Sequence, residues 1–309
     1  MGIAVCVATY QRPEGLKRLM AGLNQLTFSK GEPPKVEVIV VDNDATGSAR
    51  ELCESFKSDF KWPLQYCIEP QRGISYARNR AIASVSKEAE FVAFIDDDEV
   101  PDPAWLEMLL LVQKQYDADV VSGPVIPHFI EENVPDWVIK GRFFEVPRYP
   151  TGHLLKVAYT NNVLIRSQVL REMDKLFDER FAITGGEDSH FFMRVYRAGY
   201  KLVWADEALV YEWIPESRTN VRWILQRGYR MYSTHGLCER ELDPLIQVLP
   251  KRMTTGMGRM ALGFGLLLPS LLWKRHLFIK ALLQIARGAG MLSGLAGRHY
   301  EEYKSIHGT

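Results

Sequence analysis

The stretch FVAFIDDDEVP at residues 91–101 constrains the fold of this chain more than any other. Five apolar residues run directly into Asp96, Asp97, Asp98 and Glu99. A continuous apolar run of this kind is a strand buried on both faces, as in the middle of a parallel sheet. Ligands of open α/β sheets bind beyond the carboxyl ends of the strands, which puts these acids at the mouth of a cleft. On an extended path Asp96 and Asp98 share one side and Asp97 faces the other. Like charges that close raise each other's pKa unless a cation lies between them, and an oxygen-liking divalent ion is the natural counterpart. The plainer reading is a solvated acidic turn that caps the next helix through Asp102. A buried strand that aims the acids favours the metal.

The first hundred residues alternate strand-like runs with helical patterns, which is βαβ organisation. Strands are predicted over 2–9, 36–41 and 64–68 and at the acidic stretch, with helices beginning near Glu14, Ile74 and Pro103. With 309 residues, 47% of them hydrophobic, the chain can bury a sizeable core. Four scattered cysteines form no CxxC pair, so neither a zinc site nor a disulfide framework is expected. Nor is a signal peptide, because Met1 leads almost at once into the first strand. The catalytic part is therefore expected to stay on the cytoplasmic side.

Five prolines fall between Pro124 and Pro150, with Trp137, Phe143, Phe144 and Tyr149 among them. This middle reads as a mobile loop region of the kind used for lids and substrate binding. A strand over 159–166 follows, then a helix to about Ala198, a strand over 201–204 and a helix over 218–231. From about residue 251 the character changes: residues 251–309 carry nine Lys/Arg and two acids, although the whole chain is neutral. The apolar run 261–273 is too short to span a bilayer and contains Pro269. Over 277–297 a helix would place His276, Lys280, Gln284 and Arg287 on one basic stripe, the pattern of an interfacial helix facing anionic headgroups. A core or dimer helix is the competing reading.

Candidate chemistry lies in three groups. If Thr184 is an N-cap, Glu187 completes a capping box. Asp188 then shares a face with Phe191, Phe192 and Val195, points inward, and is placed to accept a proton from a hydroxyl. Arg72, Arg78, Arg80, Arg218, Arg222, Arg227 and Arg230 are candidates for diphosphate, which the guanidinium fork suits. No paired histidine motif appears, and His153, His190 and His235 are not assigned to metal.

Five segments in this order, ATYQRP at 8–13, VVDND at 40–44, RGISYARN at 72–79, DDD at 96–98 and GED at 186–188, resemble the family 2 glycosyltransferases, most closely those of bacterial exopolysaccharide synthesis of the succinoglycan type. The resemblance covers roughly residues 2–215. It implies the GT-A (nucleotide-diphospho-sugar transferase) fold, an α/β architecture with a mostly parallel central sheet flanked by helices. Residues 1–240 would form the catalytic domain, and residues 241–309 a helical, basic and apolar segment that associates with membrane. By this resemblance Thr9, Tyr10, Arg12, Asp42, Arg72, Arg78, Asp96 and Asp97 would bind the donor, with Asp42 accepting from the base. Asp98, with Asp96 and Glu212 as further candidates, would hold Mn²⁺ or Mg²⁺ under the leaving diphosphate. Asp188 would be the general base of an inverting transfer, and Asn162, Glu187, Arg218 and Arg227 would meet acceptor or phosphate.

The implied partners are a nucleotide-sugar, with UDP the family's usual nucleotide, a lipid-linked saccharide acceptor and the membrane surface, with no nucleic acid. Glu212 stands where many relatives carry a histidine. Gln226-Arg-Gly-Tyr229 departs from the QxxRW of processive synthases, which favours addition of one sugar. The alternatives are a nucleotidyltransferase, disfavoured because residues 8–13 lack a glycine-rich loop, a glycosidase, and a non-catalytic sugar-nucleotide-binding membrane scaffold.

Overall fold

A computed structural model describes residues 1–130, 134–271 and 274–298. Strands β1 (Gly2–Thr9), β2 (Lys35–Asp42), β3 (Leu64–Ile68) and β4 (Ala89–Ile95) alternate with helices α1 (Pro13–Asn24), α2 (Arg50–Phe56) and α3 (Ile74–Ser84). There follow β5 (Glu99–Pro101), α4 (Trp105–Tyr116), β6 (Val120–Ser122), β7 (Val125–Phe129), α5 (Asp136–Gly141), β8 (Leu154–Leu155), β9 (Asn162–Arg166), α6 (Ser167–Glu172), α7 (Glu187–Arg197), β10 (Leu202–Trp204) and β11 (Val210–Ile214). Three longer helices complete the described chain: α8 (Val221–Leu242), α9 (Leu245–Leu271) and α10 (Arg275–Leu295).

The main sheet has the order β3-β2-β1-β4-β9-β6-β10-β8. β3, β2, β1 and β4 run parallel, β6 pairs in parallel with β10, and β9 is antiparallel to both its neighbours. The pleat sorts the strand residues into two layers. Ile3, Val5, Val7, Phe91 and Ala93 pack with residues of α1, α2 and α4, whereas Ala4, Cys6, Val92 and Phe94 pack with α3, α6 and α7. Both faces of β4 are therefore covered, which is why its sequence is unbroken apolar until the acids. The apolar run 120–126 divides at Gly123 and Pro124. Its second half, β7, joins β5 and β11 in a separate three-stranded sheet.

Two expectations are corrected here. The middle segment is more ordered than the loop region expected there: it contributes β7 and α5, and Val138 and Phe144 are buried with Ile214, Ile224 and Leu283. Its aromatics are what fix it, with Phe144 stacked on Trp223 at 5.4 Å and edge-on to Phe129 at 5.6 Å. Second, the basic stripe of α10 does not face outward as a unit. Gln284 accepts a hydrogen bond from Arg259 at 2.7 Å, and the Arg287 guanidinium lies 5.5 Å from the Tyr232 ring. α10 is a packed core helix with Ile279, Leu283, Met291 and Leu295 buried, and Gly290 sits so close to α8 that a Cβ would collide with the Tyr229 carbonyl oxygen.

The exposed apolar face belongs instead to α9, where Ile246, Met253, Met257, Phe264 and Leu268 recur at helical spacing. α9 continues through Pro250 and Pro269. Among the described residues no helix is long and apolar enough to cross a membrane.

Candidate active site

A cleft of about 270 Å³ opens at the carboxyl ends of β1 and β4, bounded by the start of α3, by β11 and by α8. The three aspartates after β4 lie on a turn and not on the expected extended path, and all three border the cleft, Asp97 being the most buried. Asp97 is buried and accepts hydrogen bonds from the Thr9 hydroxyl at 2.8 Å and from Arg12 at 3.0 Å. Asp96 and Asp98 face the cleft. Asp96 accepts from Arg78 at 3.0 Å, and Asp98 from Arg218 at 2.8 Å and Arg12 at 3.3 Å. The Asp98 carbonyl accepts from the Trp213 amide at 2.9 Å, so β11 pins the acidic turn to the second sheet.

Environment separates the two cleft carboxylates. Burial pushes Asp96 up to about 6 against the pull of Arg78, with Asp98, Asp97 and Asp188 adding repulsion. Burial acts on Asp98 too, but Arg218 and Arg12 outweigh it and hold the group below its ordinary value. Glu99 is raised well above the usual range by burial and by Asp96 and Asp98. Asp96 and Asp98 form an all-oxygen pair suited to Mg²⁺ or Mn²⁺, ions that take one or two carboxylates together with substrate phosphates. No group of three or more ligating side chains is gathered among the described residues, so the fit is to that shared mode and not to a cage made of protein alone.

Cations ring the same cleft. Arg72 lies 5.0 Å from the Tyr10 ring at one rim. Arg218 bridges Asp98 and Glu212, donating to the latter at 3.0 Å, and Arg227 reaches Glu212 at 4.0 Å. Glu212 thus lines the cleft beside Asp98, linked to it through a shared arginine. Arg230, on α8, also borders the cleft, whereas Arg80 and Arg222 are exposed elsewhere.

Asp188 is half-buried on the first turn of α7. The capping-box expectation fails: the N-cap is Gly186, at φ +94°, and Glu187 is the first helical residue. A side chain at Gly186 would strike Thr234 of α8, so the helix starts there because only glycine fits. Glu187 is buried and pairs with Arg78, whose other arm holds Asp96. That buried bridge couples the start of α7, and with it Asp188, to the acidic turn.

Four predicted site residues do not line the cleft: Glu187 and Asp188 at the start of α7, and Asp42 and Asn162. Asp42 is fully buried and its carboxylate is engaged by the Asp44 and Ala49 amides at 3.0 and 2.7 Å and the Tyr66 hydroxyl at 2.9 Å. It organises its own loop, and the next residue, Asn43, lines the cleft instead. Asn162 is likewise fully buried. Its amide donates to Pro124 and Ala208 and accepts from Trp105, while Asn161 is the neighbour that reaches the cleft. In both places the neighbouring residue borders the cleft, because side chains at a strand terminus alternate sides and sequence alone does not say which side is inward.

Comparison with known proteins agrees with this architecture. The sequence model of "Glycosyl transferase family 2" matches residues 4–174, and that of "Glycosyl transferase family group 2" matches residues 91–286. The chain is 32% identical to succinoglycan biosynthesis protein ExoM of Rhizobium meliloti, over 97% of this chain and 95% of that protein. It is 24% identical to a glucosyl-dolichyl phosphate glucuronosyltransferase of Haloferax volcanii, over 79% and 78% of the two chains. Among solved structures it resembles Staphylococcus aureus TarS 1-349 in complex with UDP, with a TM-score of 0.54 at 18% identity over 97% of this chain and 93% of that one.

Proposed function

Because the chain belongs to glycosyl transferase family 2 and is a glycosyltransferase of exopolysaccharide type, we propose that it moves one sugar, with inversion, from a UDP-sugar to a lipid-linked saccharide in a metal-dependent reaction. The observation that carries this reading is the cleft itself. Two carboxylates beyond β4 meet Arg12, Arg78 and Arg218, and Asp188 is tied to them through the Arg78–Glu187 bridge. In this reading Thr9 and Arg12 hold Asp97 inward, which leaves Asp96 and Asp98 facing the donor. Arg72 and Tyr10 flank the nucleoside end, and the remaining arginines meet phosphate oxygens. Mn²⁺ or Mg²⁺ bound by Asp98 with Asp96 would neutralise charge on the leaving diphosphate. Asp188 takes the proton from the acceptor hydroxyl, which attacks the anomeric carbon opposite the departing nucleotide.

TarS has been crystallised with UDP and with UDP-GlcNAc, which supports a UDP-sugar here. We place the catalytic unit in residues 1–240 and the membrane-associating segment in residues 241–309, peripheral on the cytoplasmic face, with the exposed apolar row of α9 as the support. Replacing Asp188 by Asn should lower transfer by about 10²–10⁴-fold while UDP still binds. Asp98→Ala should weaken UDP binding in the presence of Mn²⁺ and leave the metal-free titration little changed. Calorimetry with UDP and Mn²⁺ reads both, and near-normal transfer by the Asp188 variant would remove the base assignment.

A further inference from the structure

A second cavity, of about 720 Å³, lies between the 141–147 segment and helices α8, α9 and α10. That is within the ~300–1,000 Å³ of small-molecule sites. Its wall is largely apolar, with Phe143, Ile224, Leu262, Leu266 and Leu283 among its residues. Yet the guanidiniums of Arg227 and Arg287 line it, and Arg259 lies beside them against Tyr232, itself a lining residue. Arg259 and Arg287 lie 4.9 and 5.5 Å from the Tyr232 ring, and Arg227 lies 5.3 Å from the Trp223 ring. Arg227 Nη1, Arg259 Nε and Arg287 Nε are buried without a hydrogen-bond partner among the described residues. Burial, together with the charges of Arg259 and Arg227, presses Arg287 below its ordinary pKa against the opposing effect of Tyr232. Of the acids nearby, Glu145 pairs with Arg142, and Glu212 pairs with Arg218 at 3.0 Å and reaches only Arg227 among the three, at 4.0 Å. Buried positive charge in an apolar wall is costly unless an anion joins it.

Two features give the cavity a direction. Trp223 and Arg227 border both this cavity and the catalytic cleft. On the other side Leu262 and Leu266 line the cavity while remaining half-exposed, so it opens to the surface beside α9, on the side away from the Phe264 and Leu268 row. We propose that this cavity seats the phosphate-bearing lipid of the acceptor, with the phosphate at Arg227 and Arg287, Arg259 adding its charge from beside Tyr232, and the apolar chain leaving past Leu262 and Leu266. The proposal rests on the lipid-linked acceptor reading above. It adds where the carrier is held, by which residues, and how its saccharide comes to lie at the cleft.

The test titrates the full chain with dodecyl phosphate below its micellar concentration, with dodecyl maltoside and inorganic phosphate as controls. Dodecyl phosphate should bind more tightly than either control, and the pair Arg259→Gln with Arg287→Gln should weaken it by about tenfold or more, since hydrogen bonds to charged groups are lost, while UDP affinity stays unchanged. If the pair fails to fold, Leu266→Trp on the half-exposed wall replaces it and should weaken dodecyl phosphate by narrowing the cavity. Equal binding of maltoside or of inorganic phosphate, or undiminished binding by the variants, would overturn the assignment. So would loss of binding to phosphatidylglycerol vesicles with dodecyl phosphate binding intact, which would mark a surface headgroup site. Label transfer from UDP-sugars into solvent-extractable lipid separates the two readings. If wild type and the variant pair label lipid equally, the cavity assignment falls and the acceptor reading stands; if wild type labels none, the acceptor reading falls and the cavity's occupant with it.

Discussion

Arg78 does more for the site than its position on α3 suggests, because it is buried between Asp96 and Glu187 and so holds two segments, 18 and 109 residues away in sequence, at one point. Histidine 190 is a residue of the opposite kind, buried for packing and not for chemistry. Its ring lies 5.0 Å from Phe181, with Nε2 3.6 Å from Glu241. Burial lowers its pKa to about 4, Arg194 adding to the effect. A folded-state pKa below the unfolded value means that the unfolded chain binds the extra proton first, so stability is full above about 6.5 and lost as pH falls towards 4. The loss from this group is on the order of 3 kcal/mol. His190→Gln should flatten the fall in melting temperature between pH 6.5 and 4.5, and an unchanged slope would mean that other groups carry it.

At the scale of elements, the C-terminal helices divide their labour. α10 is apolar because it is packed against α8 and α9, and its polar stripe is used for internal contacts with Arg259 and Tyr232. α9 carries its apolar residues outward, with Ile246 82% and Leu268 76% exposed. An apolar row of that length on a helix already packed on its other side is a surface for lipid or for another apolar partner. Substituting Ile246, Phe264 and Leu268 by Glu should abolish flotation with anionic vesicles while changing stability by less than about 0.5 kcal/mol per site, as for other exposed positions. Retained flotation would move membrane binding to another element.

Across the whole molecule the two sheets must be held in register, since β4 supplies the acids from one and β11 supplies Glu212 from the other. Asn162 is the fastener: from β9 it donates to Pro124, before β7, and to Ala208, before β11, and accepts from Trp105 of α4. Asn162→Ala strands three buried partners and should cost about 2–4 kcal/mol. Thermal unfolding would register that loss. UDP affinity measured well below the melting temperature should remain that of the wild type, in contrast to a residue that touches substrate.

Strands β1 to β4 with helices α1, α3 and α4, the double-sided burial of β4 and the position of the acidic turn were legible in the sequence, because apolar periodicity and the abrupt change to carboxylates are local signals. So were Asp96, Asp98 and Asp188 as candidates. Which of two adjacent residues faces the cleft was not, as Asp42 against Asn43 and Asn162 against Asn161 demonstrate, since that depends on strand register and on donors from distant loops. The apolar tail was equally visible, but whether α9 or α10 presents it to the outside was decided only when α8 covered one of them. The acidic stretch 96–98 thus marked its own location through local chemistry. Its partners Arg78, Arg218 and Glu212, and the bridge from it to α7, exist only because packing brings together segments that no short-range pattern connects.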